Sequence, residues 1–266
     1  MAPILTFALV APLGAMGGIA VGERRPGWDR PARSAVLGLV AACLGLARAE
    51  EEAHAELAAG LGVALRREGP AGSLLADYHT AQAGTPRRGQ VGRNAGLPMF
   101  ATRREELSGS RETVLSRRDY RADPGFTAAL WRRPTPAFRW TLDALAAAMR
   151  EPGFVPYFGR KSCPLGLPLA PLVVEAETVV EALLRRDEEA ARLGWPEREA
   201  MTPRRRGRDV GAGGGTLWAD LAGPEEPRLG VDHHRVETRR DAPLGRCRPQ
   251  FGLREEAAAD WRAPPS

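Results

Sequence analysis

Apolar residues near the N-terminus occur both as compact runs and as stripes at helical spacing, and the two patterns predict different elements. Residues 4–10 form an almost uninterrupted apolar run, which predicts a buried strand. Apolar side chains at helical spacing over residues 34–47 predict a core-facing helix with Ser34 as its cap. An acidic helix over 50–59 and an apolar strand over 61–66 complete this part of the pattern.

After a long polar interval the same order of elements returns. Residues 126–131 predict a strand, residues 135–149 an amphipathic helix, and residues 172–174 a further strand. A strand–helix–strand unit that occurs twice in succession is the order of a ferredoxin-like or RRM-like domain. The pattern therefore predicts an α+β fold with an RRM-like core over residues 1–175.

The C-terminal third carries a weaker pattern. A charged helix is predicted up to about residue 193, and the tail over residues 195–266 is rich in Arg, Pro and Gly with little periodicity. The glycine-rich stretch 211–216 is typical of a hinge or a disordered link. Residues 176–266 are therefore predicted to form a small C-terminal extension.

The excess positive charge of the chain is confined to the polar interval. Residues 80–121 hold nine arginines and four acidic residues, so their net charge equals the +5 of the whole chain. The segment is also rich in Gly, Thr, Ser, Gln and Asn, and it has few large apolar residues. A basic segment that cannot bury itself predicts an inserted arm over residues 80–121 that binds a polyanion such as nucleic acid. A solvated loop with incidental arginines is the alternative interpretation.

Lys161 is the only lysine among the 38 basic residues of the chain. It lies in the sequence Gly-Arg-Lys-Ser-Cys-Pro-Leu at residues 159–165. Backbone N–H groups, the Ser162 hydroxyl and the cations of Arg160 and Lys161 fall within four residues, which suits a phosphate ligand. An ordinary basic surface turn is the alternative.

Tyr78 and His79 precede the basic segment and allow two interpretations. With Lys161 they could supply the acid, the base and the cation of a metal-independent ribonuclease. A single Tyr-His pair is weak support for catalysis, so a structural role at the base of the arm is the favoured interpretation.

Composition further narrows the class of protein. The three cysteines are too widely spaced for a zinc site and suggest no disulfide framework, as expected in a reduced cytoplasmic compartment. The first 21 residues are uncharged and therefore lack the basic residues with which a signal peptide begins. Pro12 also interrupts the apolar run, so a strand is favoured over a signal peptide or a membrane span. We expect no metal, no cofactor and no membrane contact.

Two gapless motifs resemble one known family. Asp-Tyr-His-Thr at residues 77–80 and Gly-Arg-Lys-Ser-Cys-Pro-Leu at residues 159–165 resemble, in order and separation, motifs of the CasD family. Its members are Cascade subunits of type I-E CRISPR systems and a branch of the fifth CRISPR-associated protein family. Weaker matches run through nearly the whole chain, at residues 9–13, 31–39, 118–120, 240–243 and 250–251.

The resemblance implies a non-catalytic RNA-binding scaffold for antiviral defence. Such proteins grip the repeat-derived 5′ handle of the CRISPR RNA with an RRM-like core and an arm called a thumb. They also meet a CasC-like backbone subunit and a CasA-like large subunit, and the basic segment falls where the thumb is expected. The predicted RNA-binding residues are Arg25, Arg33, Ser34, Tyr78, His79, Arg103, Arg104, Arg111, Arg117, Arg118, Arg160, Lys161 and Ser162.

A CRISPR repeat endoribonuclease is the competing function. Relatives in systems that lack a dedicated processing enzyme cut the repeat, and Tyr78, His79 and Lys161 would then form the acid–base set. In type I-E systems a separate subunit, CasE, makes the cut. We therefore expect no catalytic residue in this chain.

Overall fold

A computed structural model describes residues 1–18, 22–67, 69, 71–84, 102, 104, 111–135, 138–195, 214–245 and 250–262. Strands and helices alternate irregularly along these ranges. The elements are β1 (Ala2–Val10), β2 (Leu13–Gly14), β3 (Arg24–Arg25), α1 (Arg33–Cys43), α2 (Glu51–Gly60), β4 (Leu61–Arg67), β5 (Leu74–Gly84), β6 (Arg111–Ala122), β7 (Gly125–Arg132), α3 (Leu142–Arg150), β8 (Leu172–Ala176), α4 (Val179–Leu193), β9 (Gly214–Asp220), β10 (Arg235–Gly245) and β11 (Gln250–Arg262).

A seven-stranded sheet organises the described chain, in the order β10-β11-β9-β4-β7-β1-β8. Neighbouring strands in this sheet are antiparallel. The predicted strands of the first two thirds are β1, β4, β7 and β8, which lie side by side. The apolar runs of β1, β4 and β7 are buried on both faces of the sheet, and β8 at its edge is half-buried. The predicted α+β class is confirmed. None of the helices in the described ranges has the length and apolar character needed to cross a membrane.

Two predicted helix starts are wrong. Ser34 lies inside α1 and does not cap it; the cap position is Ala32, and the backbone N–H of Arg33 donates to Asp241 Oδ2 at 2.9 Å. Helix α3 begins at Leu142 instead of residue 135, because the Thr141 side chain caps it by accepting from the backbone N–H of Ala144 at 3.1 Å.

The C-terminal residues extend the same sheet. Strand β9 pairs with β4, and β11 then pairs with β9 and β10. The predicted boundary between residues 175 and 176 falls inside β8, where the sheet does not divide. The hinge prediction is wrong for residues 214–216, which begin β9, whereas residues 211–213 lie outside the described residues. Gly215 is needed there because a Cβ would come within 2.4 Å of the Arg67 carbonyl oxygen on β4.

Buried ion pairs centred on Asp220 join this extension to the rest of the fold. Asp220, at the end of β9, lies 2.8 Å from Arg33, 3.0 Å from Arg133 and 2.9 Å from Arg254. Arg254 also lies 2.6 Å from Asp241. We call Arg33, Asp220, Asp241 and Arg254, with Glu256 next to them at 2.6 Å from Arg254, the ionic cluster.

Burial disfavours the charged forms of the side chains in the ionic cluster, and their opposite charges stabilise these forms. Burial by itself would raise the pKa of Asp241, but the hydrogen bond and charge of Arg254 outweigh it and hold that pKa below its usual value. Burial would likewise lower the pKa of Arg254, and the surrounding carboxylates raise it instead. Each charge therefore depends on its partners, because an isolated ion in this position would be costly.

Removing one member of the cluster should destabilise the protein strongly. We expect Arg254→Met to lower the free energy of unfolding by about 3–5 kcal/mol, since it leaves Asp220, Asp241 and Glu256 without their shared cation. Urea unfolding followed by circular dichroism measures the loss. The matched control is Arg240→Met on the neighbouring strand, where the arginine is exposed. A loss of similar size in both variants would contradict the assigned role.

Candidate nucleic-acid interface

The predicted basic arm contains a long β-hairpin. Strands β5 and β6 pair antiparallel from Leu74 opposite Arg121 to Gly84 opposite Arg111. Together with β2 and β3 they form a second, smaller sheet, which we call the arm sheet. The predicted arm over residues 80–121 thus begins within β5 and ends within β6, and most of the residues between the two strands lie outside the described ranges.

The register of the arm sheet decides which side chains share a face. Successive residues of a strand point to opposite faces, and paired residues of neighbouring strands point to the same face. Arg118 is paired with Asp77 on one side and with Arg25 on the other, so these three share a face with His79. Tyr78 is paired with Arg117 and faces the opposite side.

The loop over residues 159–165, which we call the lysine loop, is fixed against the segment that follows β2. The Ala15 N–H donates to the Phe158 carbonyl at 3.0 Å, and the Cys163 N–H donates to the Arg160 carbonyl at 2.8 Å. Gly159 has φ +84°, and a Cβ there would lie 1.8 Å from the Ala15 oxygen, so only glycine fits.

Arg160 connects the lysine loop to the arm sheet. Its guanidinium carbon lies 5.0 Å from the centre of the ring of Tyr120, which is buried near the end of β6. Tyr120 occupies the same face of β6 as Arg118, because the two are separated by two positions. Nη1 of Arg160 is buried and makes no hydrogen bond with any part of the chain that the structure describes.

These contacts link elements that carry predicted site residues far apart in the sequence. Arg25, Arg118, Arg160 and Lys161 come from β3, β6 and the lysine loop, and we call this set the basic surface. Lys161 and Ser162 are exposed, and within the described ranges Lys161 has neither an ion-pair nor a hydrogen-bond partner. Cations on two paired strands and on a loop attached to them can hold the phosphates of a nucleic acid.

The structure does not bring every predicted residue to this surface. Arg33 is buried at 6% exposure, and its guanidinium group donates to Asp220 and to the carbonyls of Ala58 and Leu61. Ser34 is half-buried beside it in the first turn of α1. Arg104 is exposed; Arg103 and the side chain of Arg111 lie outside the described residues.

His79 and Tyr78 do not converge. The imidazole of His79 lies 2.6 Å from the Asp77 carboxylate on the same face, whereas Tyr78 faces the other side and is 71% exposed. Lys161 instead lines a cleft with Arg48 and His54, and neither Tyr78 nor His79 contributes to that cleft. In the described ranges, no three His, Cys, Asp or Glu side chains are grouped as metal ligands would be.

Sequence reasoning missed the strands of the arm and the residues that line the cleft. Leu74, Leu75, Val114 and Leu115 are exposed, so β5 and β6 bury neither face over most of the hairpin and show no alternation of apolar and polar residues there. The β-branched pair Thr113 and Val114 was a local signal for β6. Arg48 and His54 follow α1 without any motif around them.

Comparisons with known proteins give consistent matches. A family model described as CRISPR-associated protein (Cas_Cas5) matches residues 4–252. The CRISPR system Cascade subunit CasD of Escherichia coli (strain K12) is 32% identical over 195 residues, which cover 69% of this chain and 77% of that protein.

Two solved structures share the fold. A chain of a CRISPR RNA-guided surveillance complex superposes with a TM-score of 0.63 at 21% identity, covering 98% of this chain and 91% of its own. The crystal structure of a Cas protein gives a TM-score of 0.52 at 20% identity, covering 98% of this chain and all of its own.

The close contact at Gly159 can be tested by substitution. We expect Gly159→Ala to lower the free energy of unfolding by about 1–2 kcal/mol for the positive φ and by about 1–3 kcal/mol more for the clash with Ala15. Gly194→Ala is the control, because Gly194 has φ +62° and nothing lies within 4 Å of a Cβ there. Denaturant unfolding of both variants separates the two contributions. Equal losses would mean that the lysine loop is free to move away from Ala15.

Proposed function

The chain belongs to the CRISPR-associated Cas5 family, and we propose that it is the CRISPR RNA-binding subunit of a type I-E Cascade complex. In this proposal the basic surface grips the repeat-derived 5′ handle, and the protein is non-catalytic and works in the cytoplasm in antiviral defence. The contact of Arg160 with Tyr120 carries the proposal, because it attaches the lysine loop to the arm sheet on which Arg25 and Arg118 are paired. Neither the family nor the charge of the arm alone would say where the RNA lies.

The chemistry of the basic surface suits single-stranded RNA. Arginine offers a planar fork to phosphate oxygens, and lysine offers a compact charge on a flexible stem. The exposed Ser162 hydroxyl and the backbone of the lysine loop add hydrogen-bonding groups beside Lys161.

The order of the central strands supports an RRM-like core. Strands β4, β7, β1 and β8 are consecutive in the sheet and antiparallel to their neighbours. Helices α1 and α2 connect β1 to β4, and α3 connects β7 to β8. A β-α-β-β-α-β unit of the ferredoxin-like type has this arrangement.

The arm suits a role as a thumb that also meets a protein partner. It combines the exposed apolar residues Leu74, Leu75, Val114 and Leu115 with the basic side chains of β6. These apolar residues lie on both faces of the hairpin and at two points along it, where they are available to a protein partner. We assign this contact to a CasC-like backbone subunit, with a CasA-like large subunit as the second protein partner.

A repeat endoribonuclease is the alternative function, and the geometry argues against it. Acid–base catalysis needs both groups within reach of one phosphodiester. Tyr78 and His79 point to opposite faces of the arm sheet, and Lys161 borders a cleft to which neither contributes. His79 is instead held by Asp77, as expected for a structural or phosphate-binding histidine.

Neutralising two members of the basic surface should weaken RNA binding and its salt dependence. We expect the double variant Arg118→Gln/Lys161→Gln to reduce the slope of log affinity against log salt by about 1.4, since each phosphate contact on single strands contributes about 0.7. Titrations of full-length repeat RNA at several salt concentrations measure the slope. The control variant Arg185→Gln/Arg192→Gln removes the same amount of charge from α4, outside the basic surface. It should leave the slope unchanged. The same slope in the wild type and both variants would contradict the assigned interface.

Repeat RNA should remain intact in the presence of the protein. We expect a mixture of end-labelled repeat RNA and protein in EDTA to show a shifted band on a native gel and an uncut band on a denaturing gel. The 5′-handle sequence alone should compete for binding. A discrete cut that disappears in His79→Ala would instead establish the endoribonuclease.

A further inference from the structure

Arg239 on β10 is a buried cation whose charge the neighbouring carboxylates do not need. It is 3% exposed, and the nearest oxygens of Glu256 and Asp241 lie 3.5 and 3.6 Å from it. Arg254 lies 2.6 Å from each of the same two carboxylates. Nε of Arg239 makes no hydrogen bond within the described part of the chain, and burial lowers the pKa of Arg239 in spite of the charge of Glu256. Burying a guanidinium with contacts this long is unfavourable, so another contact is needed to hold it there.

That contact is with Trp28, in the loop between β3 and α1. We call residues 26–32 the tryptophan loop. The guanidinium carbon of Arg239 lies 4.7 Å from the centre of the indole ring, and a cation on an aromatic ring gains more when it is desolvated. Nη1 of Arg239 also donates to the Pro31 carbonyl near the end of the same loop, at 3.4 Å. Arg239 therefore attaches the tryptophan loop to β10.

The other side of the tryptophan loop contacts the arm sheet. Nε of Arg121 donates to the Trp28 carbonyl at 3.4 Å, and the Gly27 N–H donates to Asp119 Oδ2 at 3.4 Å. A Cβ at Gly27 would lie 3.2 Å from the Cβ of Asp119, so the loop passes close to β6. The Trp28 N–H donates to the Met16 carbonyl at 2.7 Å. The tryptophan loop is thus a link between β10 and the arm sheet.

Strand β3 depends on this loop for its position. It is two residues long, and within the described ranges it pairs with β6 alone, at Arg117 and Arg118. The Arg117 N–H donates to the Glu23 carbonyl at 2.9 Å. So few hydrogen bonds leave a strand only marginally stable by itself. Because the tryptophan loop begins directly after Arg25, the position of the loop decides where the Arg25 side chain lies.

We propose that Arg239 and Trp28 are positioning residues for RNA binding, in which Arg239 holds the indole ring and the tryptophan loop places Arg25 on the basic surface. The inference rests on the proposed RNA-binding function and goes beyond it, because neither residue belongs to the basic surface. Arg239 is buried and acts through the loop. Arg25 is the residue that meets a phosphate.

Trp28 offers a test that separates positioning from direct contact. Trp28→Ala removes no charge, so a fall in the slope of log affinity against log salt has to come from a cation that has moved. We expect the slope for full-length repeat RNA to fall by about 0.7, the contribution of one phosphate contact on a single strand. Trp28→Phe keeps a ring for Arg239 and should keep the wild-type slope. If Trp28→Ala lowers the affinity and leaves the slope unchanged, Trp28 contacts the RNA directly and the inference is overturned.

A double-mutant cycle identifies the cation that moves. Arg25→Gln alone should also lower the slope by about 0.7, since it removes the same phosphate contact. The double variant Arg25→Gln/Trp28→Ala should lose no more than either single variant. A loss of about 1.4 in the double variant would mean that the two changes act independently, which contradicts the inference.

Arg239→Met tests the other member of the pair. We expect the slope to fall by about 0.7, although this buried side chain does not reach the RNA. Arg240→Met is the matched control, because it removes the same charge from the next, exposed position and should leave the slope unchanged. Thermal unfolding checks that both proteins are folded during the titrations, and if Arg239→Met does not fold, the Trp28 variants decide.

Hydrogen exchange of the free proteins measures the position of β3 without RNA. The amide of Arg117, which bonds to Glu23, should exchange faster in Arg239→Met and Trp28→Ala than in the wild type, and Arg240→Met should match the wild type. Exchange at the wild-type rate in both variants would overturn the inference.

The outcomes separate this inference from the function on which it rests. If the wild-type protein binds repeat RNA with a steep salt dependence and the Trp28→Ala and Arg239→Met variants keep its slope, the positioning role is overturned and RNA binding stands. If the wild-type protein binds no repeat RNA, both are overturned.

Discussion

The burial of the Asp220 carboxylate among three arginines is the constraint on which the rest of the structure depends. It ties the start of α1, the end of β7 and strand β11 to one point at the end of β9. Asp241 completes the connection by accepting from the first backbone N–H of α1. The position of α1 is thereby fixed at one end by charge and along its length by the apolar core, and the α1 residues that line the cleft beside Lys161 are fixed with it.

The central strands were predictable because their environment is simple. Strands β1, β4 and β7 are covered on both faces, so apolar runs such as residues 4–10 and 126–131 identify them without any knowledge of the fold. Strands β10 and β11 escaped prediction for the opposite reason. Their inward positions include Arg239, Asp241, Arg254 and Glu256, so buried charge replaces the apolar half of the alternation on which strand prediction relies.

The sequence indicated which types of residue form the candidate site better than it indicated where those residues lie in the fold. The single lysine and Ser162 are exposed on their glycine-bounded loop, and the phosphate-binding role predicted for them stays a prediction. Arg33 and Arg118 are both arginines in polar surroundings of the sequence, where Ser34 follows the first and Arg117 precedes the second. Arg33 nevertheless belongs to the buried ionic cluster, whereas Arg118 lies half-buried on the arm sheet. Only the pairing of β3 with β6 and the contact of Arg160 with Tyr120 assemble the surface, and both are long-range contacts that no local pattern encodes.

The arm sheet also has an open edge. Within the described residues β5 pairs with β6 alone, so the backbone N–H and C=O groups along its other side have no strand beside them. An open edge next to exposed leucines is a template for pairing with another chain, which natural proteins usually block with charge, proline or a covering partner. In a complex, a neighbouring subunit would serve as that cover. Produced alone, the protein should tend to self-associate through β5, so its solubility should depend on co-expression with the neighbour.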